Sequence, residues 1–96
     1  MRRCQILRRG KDTYYIDVFD EGLYRIFEDL ARYGYSIVQN TDKLRVFGVE
    51  LRVFRLSGIL RMGWDKLFYT TIVALDPSYT LRKDGKKPER FILKRY

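Results

Sequence analysis

One stretch of helical periodicity sets the terms for the whole chain. Between Glu21 and Tyr33, apolar residues fall at Leu23, Ile26, Phe27 and Leu30, the i, i+3, i+4, i+7 spacing of a single helix face, with Ala31 and Tyr33 near its end. Asp20 is placed to cap the N-terminus, Glu21 suits the positive end of the helix dipole, and Gly34 predicts the stop. Arg25, Glu28, Asp29 and Arg32 are expected on the outward face. No second helix is legible. One short amphipathic helix cannot bury its stripe alone, so a sheet must cover it.

Period-two alternation supplies that sheet. Gln5–Arg9 and Thr13–Phe19 read as strands about a turn at Gly10-Lys11-Asp12. Tyr35–Gln39 reads as a short strand or an extended connection, and Asn40-Thr41-Asp42 as a turn. Leu44–Phe47 and Leu51–Phe54 repeat Leu-Arg-Val-Phe, with Gly48 between them marking a bulge, kink or turn; with no third copy this is no solenoid. Val49–Trp64 reads as two strands joined by a tight turn at Ser57-Gly58, the second running into a turn at Asp65-Lys66. Leu67–Leu75 is the strongest strand, ended by Asp76-Pro77-Ser78. Further on, Asp84-Gly85 suits a hairpin turn while Pro88-Glu89 suits a helix start, and Phe91–Tyr96 is too short for periodicity to decide. The expected fold is a single α+β domain over residues 1–96: a mostly antiparallel sheet of four to six strands with one main helix packed on one face.

What the chain lacks narrows its chemistry. It has no histidine and one cysteine, Cys4, which removes the commonest general base, the commonest metal ligand, the Ser-His and Cys-His nucleophiles and any intrachain disulfide. Cys4 reads as a small, half-buried residue. No Walker loop, dinucleotide fingerprint or zinc spacing is present, and the scattered carboxylates do not suggest a glycosidase pair, so no cofactor and no metal are expected. No run of about 18 apolar residues and no signal-peptide pattern is seen. The expected setting is reduced and cytoplasmic, without a membrane partner.

The charge is uneven. Residues 1–42 carry seven Lys/Arg and seven Asp/Glu, whereas residues 43–96 carry thirteen and five, so the net charge of +8 lies wholly in the second half. Such asymmetry points to a polyanionic partner, with a solubilising basic surface as the plainer reading. Arg52, Arg55 and Arg61 recur along the Val49–Trp64 stretch, and planar guanidiniums held on strands suit phosphate. Metal-free RNA cleavage asks for a base, a cation on the phosphorane and an acid. Arg fits the second role, and Lys of depressed pKa or Tyr the others. Composition alone equally fits a non-catalytic nucleic-acid-binding protein, in which aromatics stack on bases and cations hold the backbone.

The order of residues in the second half resembles the RelE/ParE toxin superfamily, most closely its HigB-like, phage-derived branch. Glu50-Leu51-Arg52, Gly58-Ile59-Leu60-Arg61, Ile72-Val73-Ala74-Leu75 and Arg82-Lys83-Asp84-Gly85-Lys86-Lys87-Pro88 stand in the places of that branch's successive strand and basic motifs. The resemblance implies a ribonuclease toxin that cleaves mRNA, ribosome-bound in the family's manner, with a small acidic antitoxin as protein partner. It implies that Arg61 stabilises the phosphate and that Lys83 and Tyr96 serve catalysis, Tyr79 being a second candidate for the aromatic. It implies that Arg82, Lys83 and Lys86 belong to the basic segment that holds RNA, and it gives Arg52 a positioning or structural role; with Arg55 of the same strand and Lys87 of the same segment, Arg52, Arg82 and Lys86 make up the expected RNA-binding set. The chain departs from the family in showing one opening helix rather than two, in extra residues around Asp76–Thr80, and in Leu60 before Arg61. Those departures leave room for a viral or plasmid-borne binding protein, or for a toxin-fold interaction protein that cleaves nothing. Plainer roles are a cross-strand pair for Arg52 with Glu50, a solvated turn for Lys83, Lys86 and Lys87, a frayed end for Tyr96 and a core place for Trp64.

Overall fold

The computed structural model describes residues 3–39, 51–61 and 67–96, with side chains described for 3–38 and 72–96. In chain order the elements are β1 (Cys4–Arg8), β2 (Thr13–Val18), α1 (Glu21–Tyr33), β3 (Tyr35–Gln39), β4 (Leu51–Arg61), β5 (Leu67–Leu75), β6 (Tyr79–Lys83) and β7 (Arg90–Arg95). The fold is α+β. The strands form two antiparallel sheets, one of four strands in the order β1-β2-β7-β6 and one of three in the order β3-β5-β4, and α1 packs against both.

The helix starts and stops where its sequence says. Asp20 accepts a hydrogen bond from the Leu23 N–H at 2.9 Å, and this bond, with Arg3 beside it, holds the Asp20 carboxyl below its ordinary value. Gly34 takes the left-handed conformation at φ 81°, which L side chains avoid, and its N–H closes on the Leu30 carbonyl at 3.0 Å. Leu23, Phe27 and Leu30 are buried. They meet Ile16 and Val18 of β2, Phe91 and Leu93 of β7, Leu81 of β6 and Val73 of β5 in one core. Phe91, fully buried, centres it: the Phe27 and Tyr24 rings lie 5.6 and 5.1 Å from the Phe91 ring.

Several sequence readings come out differently. Ser57-Gly58 is not a tight turn. Residues 51–61 form one strand, and the register jumps between the pairs Leu56↔Thr70 and Leu60↔Phe68. β4 advances four residues there while β5 advances two, so the stretch carries a bulge, which a glycine accommodates as readily as a turn. The outward charges of α1 are not all solvated: Asp29 accepts from the hydroxyl of buried Ser36 at 3.2 Å, and Glu28 binds Lys83. Tyr35–Gln39 is a strand, and Arg90–Arg95 pairs back onto β6 through the connection 84–89, so Asp84-Gly85 belongs to a hairpin and Pro88-Glu89 starts no helix. The proposed features at Asn40-Thr41-Asp42, Leu44–Phe47, Gly48, Glu50, Trp64 and Asp65-Lys66 lie outside the described residues.

Replacing Phe91 by Ala will remove a buried ring from the centre of the core and lower the unfolding free energy by about 3–5 kcal/mol. Replacing Ile37, which is 59% exposed, will change it by under about 0.5 kcal/mol. Urea denaturation of the two variants beside the parent checks both.

Candidate nucleic-acid interface

The four-stranded sheet has two chemically distinct faces, and strand register assigns them. On the helix side stand Ile16, Phe91, Leu93 and Leu81, and toward the margins Arg8, Tyr14, Arg95, Tyr79 and Lys83. The opposite face carries Leu7, Tyr15, Ile92 and Arg82 in one row across the sheet. The next row toward one end holds Asp17 and Arg90, and the next toward the other holds Thr13, Lys94 and Thr80. Among the described residues, α1 packs only on the first face.

Asp17 and Arg90 form a buried pair on that outer face. Arg90 donates from Nε to Asp17 Oδ1 at 2.7 Å and from its terminal nitrogen to Oδ2 at 3.1 Å, and each residue is 8% exposed. The two-pronged bond holds the Asp17 carboxyl below its ordinary range and raises the guanidinium. Arg90 also lies over the Tyr15 ring, 4.7 Å from its centre, and Arg9 lies over the same ring at 5.5 Å. Tyr15 therefore organises two guanidiniums rather than offering a bare ring to a base. Arg9, Arg82 and Lys94 are exposed around it.

The end of this sheet at the β1–β2 turn is cationic on both faces. Arg8 and Arg95 stand on the helix side, Arg95 over the Tyr79 ring at 6.0 Å, while Arg9 and Lys94 stand on the outer side and Lys11 lies in the turn. Two acids share that end: Asp12, in the turn, and Asp76, whose Oδ1 accepts from the Ser78 N–H at 2.8 Å. The remaining described carboxylates collect elsewhere. Asp20 pairs with Arg3, Glu21 with Arg25, Glu28 with Lys83 and Asp17 with Arg90. Among the described residues, Arg9, Lys11, Arg82 and Lys94 have no carboxylate partner.

The residues singled out in the sequence are divided by this arrangement. Arg82 and Lys83, adjacent in the chain, leave β6 on opposite faces. Arg82 joins the outer cationic face. Lys83 turns to the helix, where it donates to Glu28 and lies over the Tyr24 ring at 5.4 Å. Glu28 raises the Lys83 pKa, the reverse of the depression that a lysine base requires. Lys86 and Lys87 are exposed in the connection 84–89, at the far end from the β1–β2 turn, and the charge of Lys87 reaches Asp17. Tyr96 follows β7, 87% exposed, its N–H bonded to the Ser78 carbonyl at 2.9 Å. Arg52, Arg55 and Arg61 lie on β4 of the other sheet, their backbones opposite Ala74, Thr71 and Leu67, and their side chains are outside the described residues. Arg8, Arg9, Lys11, Lys94 and Arg95 were not singled out. The signal was two short cationic clusters near the ends of the chain, which only the β2–β7 pairing brings together.

Among the described residues no group of His, Cys, Asp and Glu is set to hold a metal ion, and no helix of the described residues is long and apolar enough to cross a membrane. Burial raises the Cys4 thiol above its ordinary value. No family model, no curated protein and no solved structure matches the chain.

Asp17→Asn will cost about 2 kcal/mol, since it removes a charged, two-pronged acceptor from a buried guanidinium. The sign with pH follows from the lowered carboxyl. Its contribution is complete above the ordinary aspartate value of 3.8 and is lost as the pH falls through the lower folded value. The gap between parent and variant, measured by urea denaturation from pH 7 to pH 3, will therefore narrow on the acid side.

Proposed function

We propose that this protein binds nucleic acid through the outer face and turn end of its four-stranded sheet, and that it does so without catalysis. The carrying observation is the gathering of Arg9, Lys11, Arg82 and Lys94, none with a carboxylate partner among the described residues, while Asp17, Asp20, Glu21 and Glu28 are each held by another cation. By register, Arg82 and Lys94 stand on neighbouring strands in diagonal positions, about 7–8 Å apart at their backbones. Long side chains at that spacing reach separate phosphates of one backbone. The ring of Tyr15 fixes Arg9 in advance, which lowers the ordering cost of binding.

Binding is favoured over cleavage by the state of Lys83. Held by Glu28, it keeps its proton and stands on the face opposite Arg82. The RelE/HigB-like endoribonuclease implied by the resemblance would rest on Arg61, and it has its own readout: mRNA cleavage that is lost in Arg61→Ala. The acidic antitoxin belongs to that same reading.

Simultaneous Arg9→Ala, Arg82→Ala and Lys94→Ala will weaken binding to a mixed-sequence oligonucleotide at least ~100-fold at about 50 mM salt. Arg25→Ala, on the helix and paired with Glu21, will leave it unchanged. Fluorescence anisotropy with circular dichroism as a fold control checks this. Equal affinity of the triple variant and the parent would refute the reading.

A further inference from the structure

The cationic end of the sheet is two-sided, and this geometry narrows the ligand class, on the condition that the protein binds nucleic acid at all. We propose that the ligand is double-stranded DNA, entered through its major groove by the tip of the β1–β2 hairpin. A strand laid on one face of the sheet would use Arg9 and Lys94 and have no use for Arg95, which register places on the other face at the same end, or for Lys11 in the turn. Two cationic flanks with a turn between them match two phosphate backbones with a groove between them. Packed sheets sit about 10 Å apart, so side chains add roughly 5 Å to each face and the charged flanks stand on the order of 10 Å apart. The major groove of B-DNA is about 12 Å wide, and the part that enters it is the turn at Gly10 and Lys11, since β7 is bonded to the hairpin as far as Asp12. The major groove of an RNA duplex is deep and narrow and does not admit it.

The tip is built to be stiff. Arg8 donates from Nε to the Gly10 carbonyl at 3.1 Å and from its terminal nitrogen to the Lys11 carbonyl at 3.3 Å. Gly10 holds φ at 122°, open to glycine and strained for other residues. The Arg95 N–H binds the Asp12 carbonyl at 2.9 Å, tying the end of β7 to the turn. Asp12, the one acid in the turn, supplies an acceptor that the amino group of cytosine can meet in this groove. On the outer face, Arg9 and Arg90 already lie over the Tyr15 ring, which argues against a single strand held there by stacking.

The test is competition and salt dependence with a labelled DNA duplex of about 20 base pairs, its single strand and the matching RNA duplex. Four phosphate contacts, from Arg9, Lys11, Lys94 and Arg95, give a slope of log affinity on log salt near −3.6, a loss of about 150-fold between 50 and 200 mM salt. Unlabelled duplex DNA should compete at least ~10-fold better than single strand or RNA duplex, and Arg95→Gln and Lys11→Gln should each shallow the slope by about 0.9, as should Lys94→Gln. Groove entry is overturned if the single strand or the RNA duplex competes as well as duplex DNA. It is also overturned if only Lys94→Gln changes the slope while Arg95→Gln and Lys11→Gln leave it; the ligand then lies on the outer face, and the nucleic-acid reading stands. No salt-dependent binding to any of the three probes removes that reading itself.

Discussion

The buried pair between Asp17 and Arg90 is the contact on which the rest of the sheet depends. It joins β2 to β7 across 73 positions of sequence, and it is intolerant of slippage. A shift of one residue would turn Arg90 toward the core and Phe91 toward the outer face, since neighbouring side chains on a strand point to opposite sides. Such a slip would leave a guanidinium uncompensated among Ile16, Leu81 and Phe27, at a cost well beyond what hydrophobic repacking recovers. Phe91 and Arg90 thus specify the same register from two faces, one through packing and one through charge. The same guanidinium lies over Tyr15, whose ring also receives Arg9. The structural pair and the outermost cation of the interface are therefore linked through one ring.

Topology, more than composition, creates the surface. Counted along the chain, the first half is neutral and the second half basic. Counted in space, the division is different. Arg8, Arg9 and Lys11 come from the neutral half and meet Lys94 and Arg95 from the basic half, because β1-β2-β7-β6 interleaves the two ends of the chain. Three acids of the neutral half, Asp20, Glu21 and Glu28, stand at the helix, where each takes a cation as partner. A modest excess of positive charge becomes a concentrated one without any single basic run.

Local features were legible in the sequence, and distant pairings were not. The cap at Asp20, the stop at Gly34, the stripe from Leu23 to Leu30 and the strands β2 and β5 depend on neighbours within a few residues, and all appear where the pattern puts them. Ser57-Gly58 was misread because a glycine beside a small polar residue serves a bulge as well as a turn, and the difference lies in where β5 pairs. Lys83 looked like Arg82 until its partner on α1 was known, 55 residues away. Asp17 alternates with Ile16 and Val18 as a solvated outward residue does, and only its burial in the structure asks for a cation. Which cation answers could not be read, since the chain offers 20.

The interleaving of the sheet also governs when the protein becomes itself. β2 is flanked by β1, made before it, and by β7, made after β3 to β6, with Thr13 pairing with Lys94. Closing a loop of that length must precede most of the core contacts it rewards, which makes folding slow for a chain this small. Until β7 arrives, Ile16 and Phe27 have no Phe91 to pack on and Arg90 does not meet Asp17. The hydrophobic core and the cationic end are completed by the same strand, Arg90–Arg95, so a partly made chain has neither.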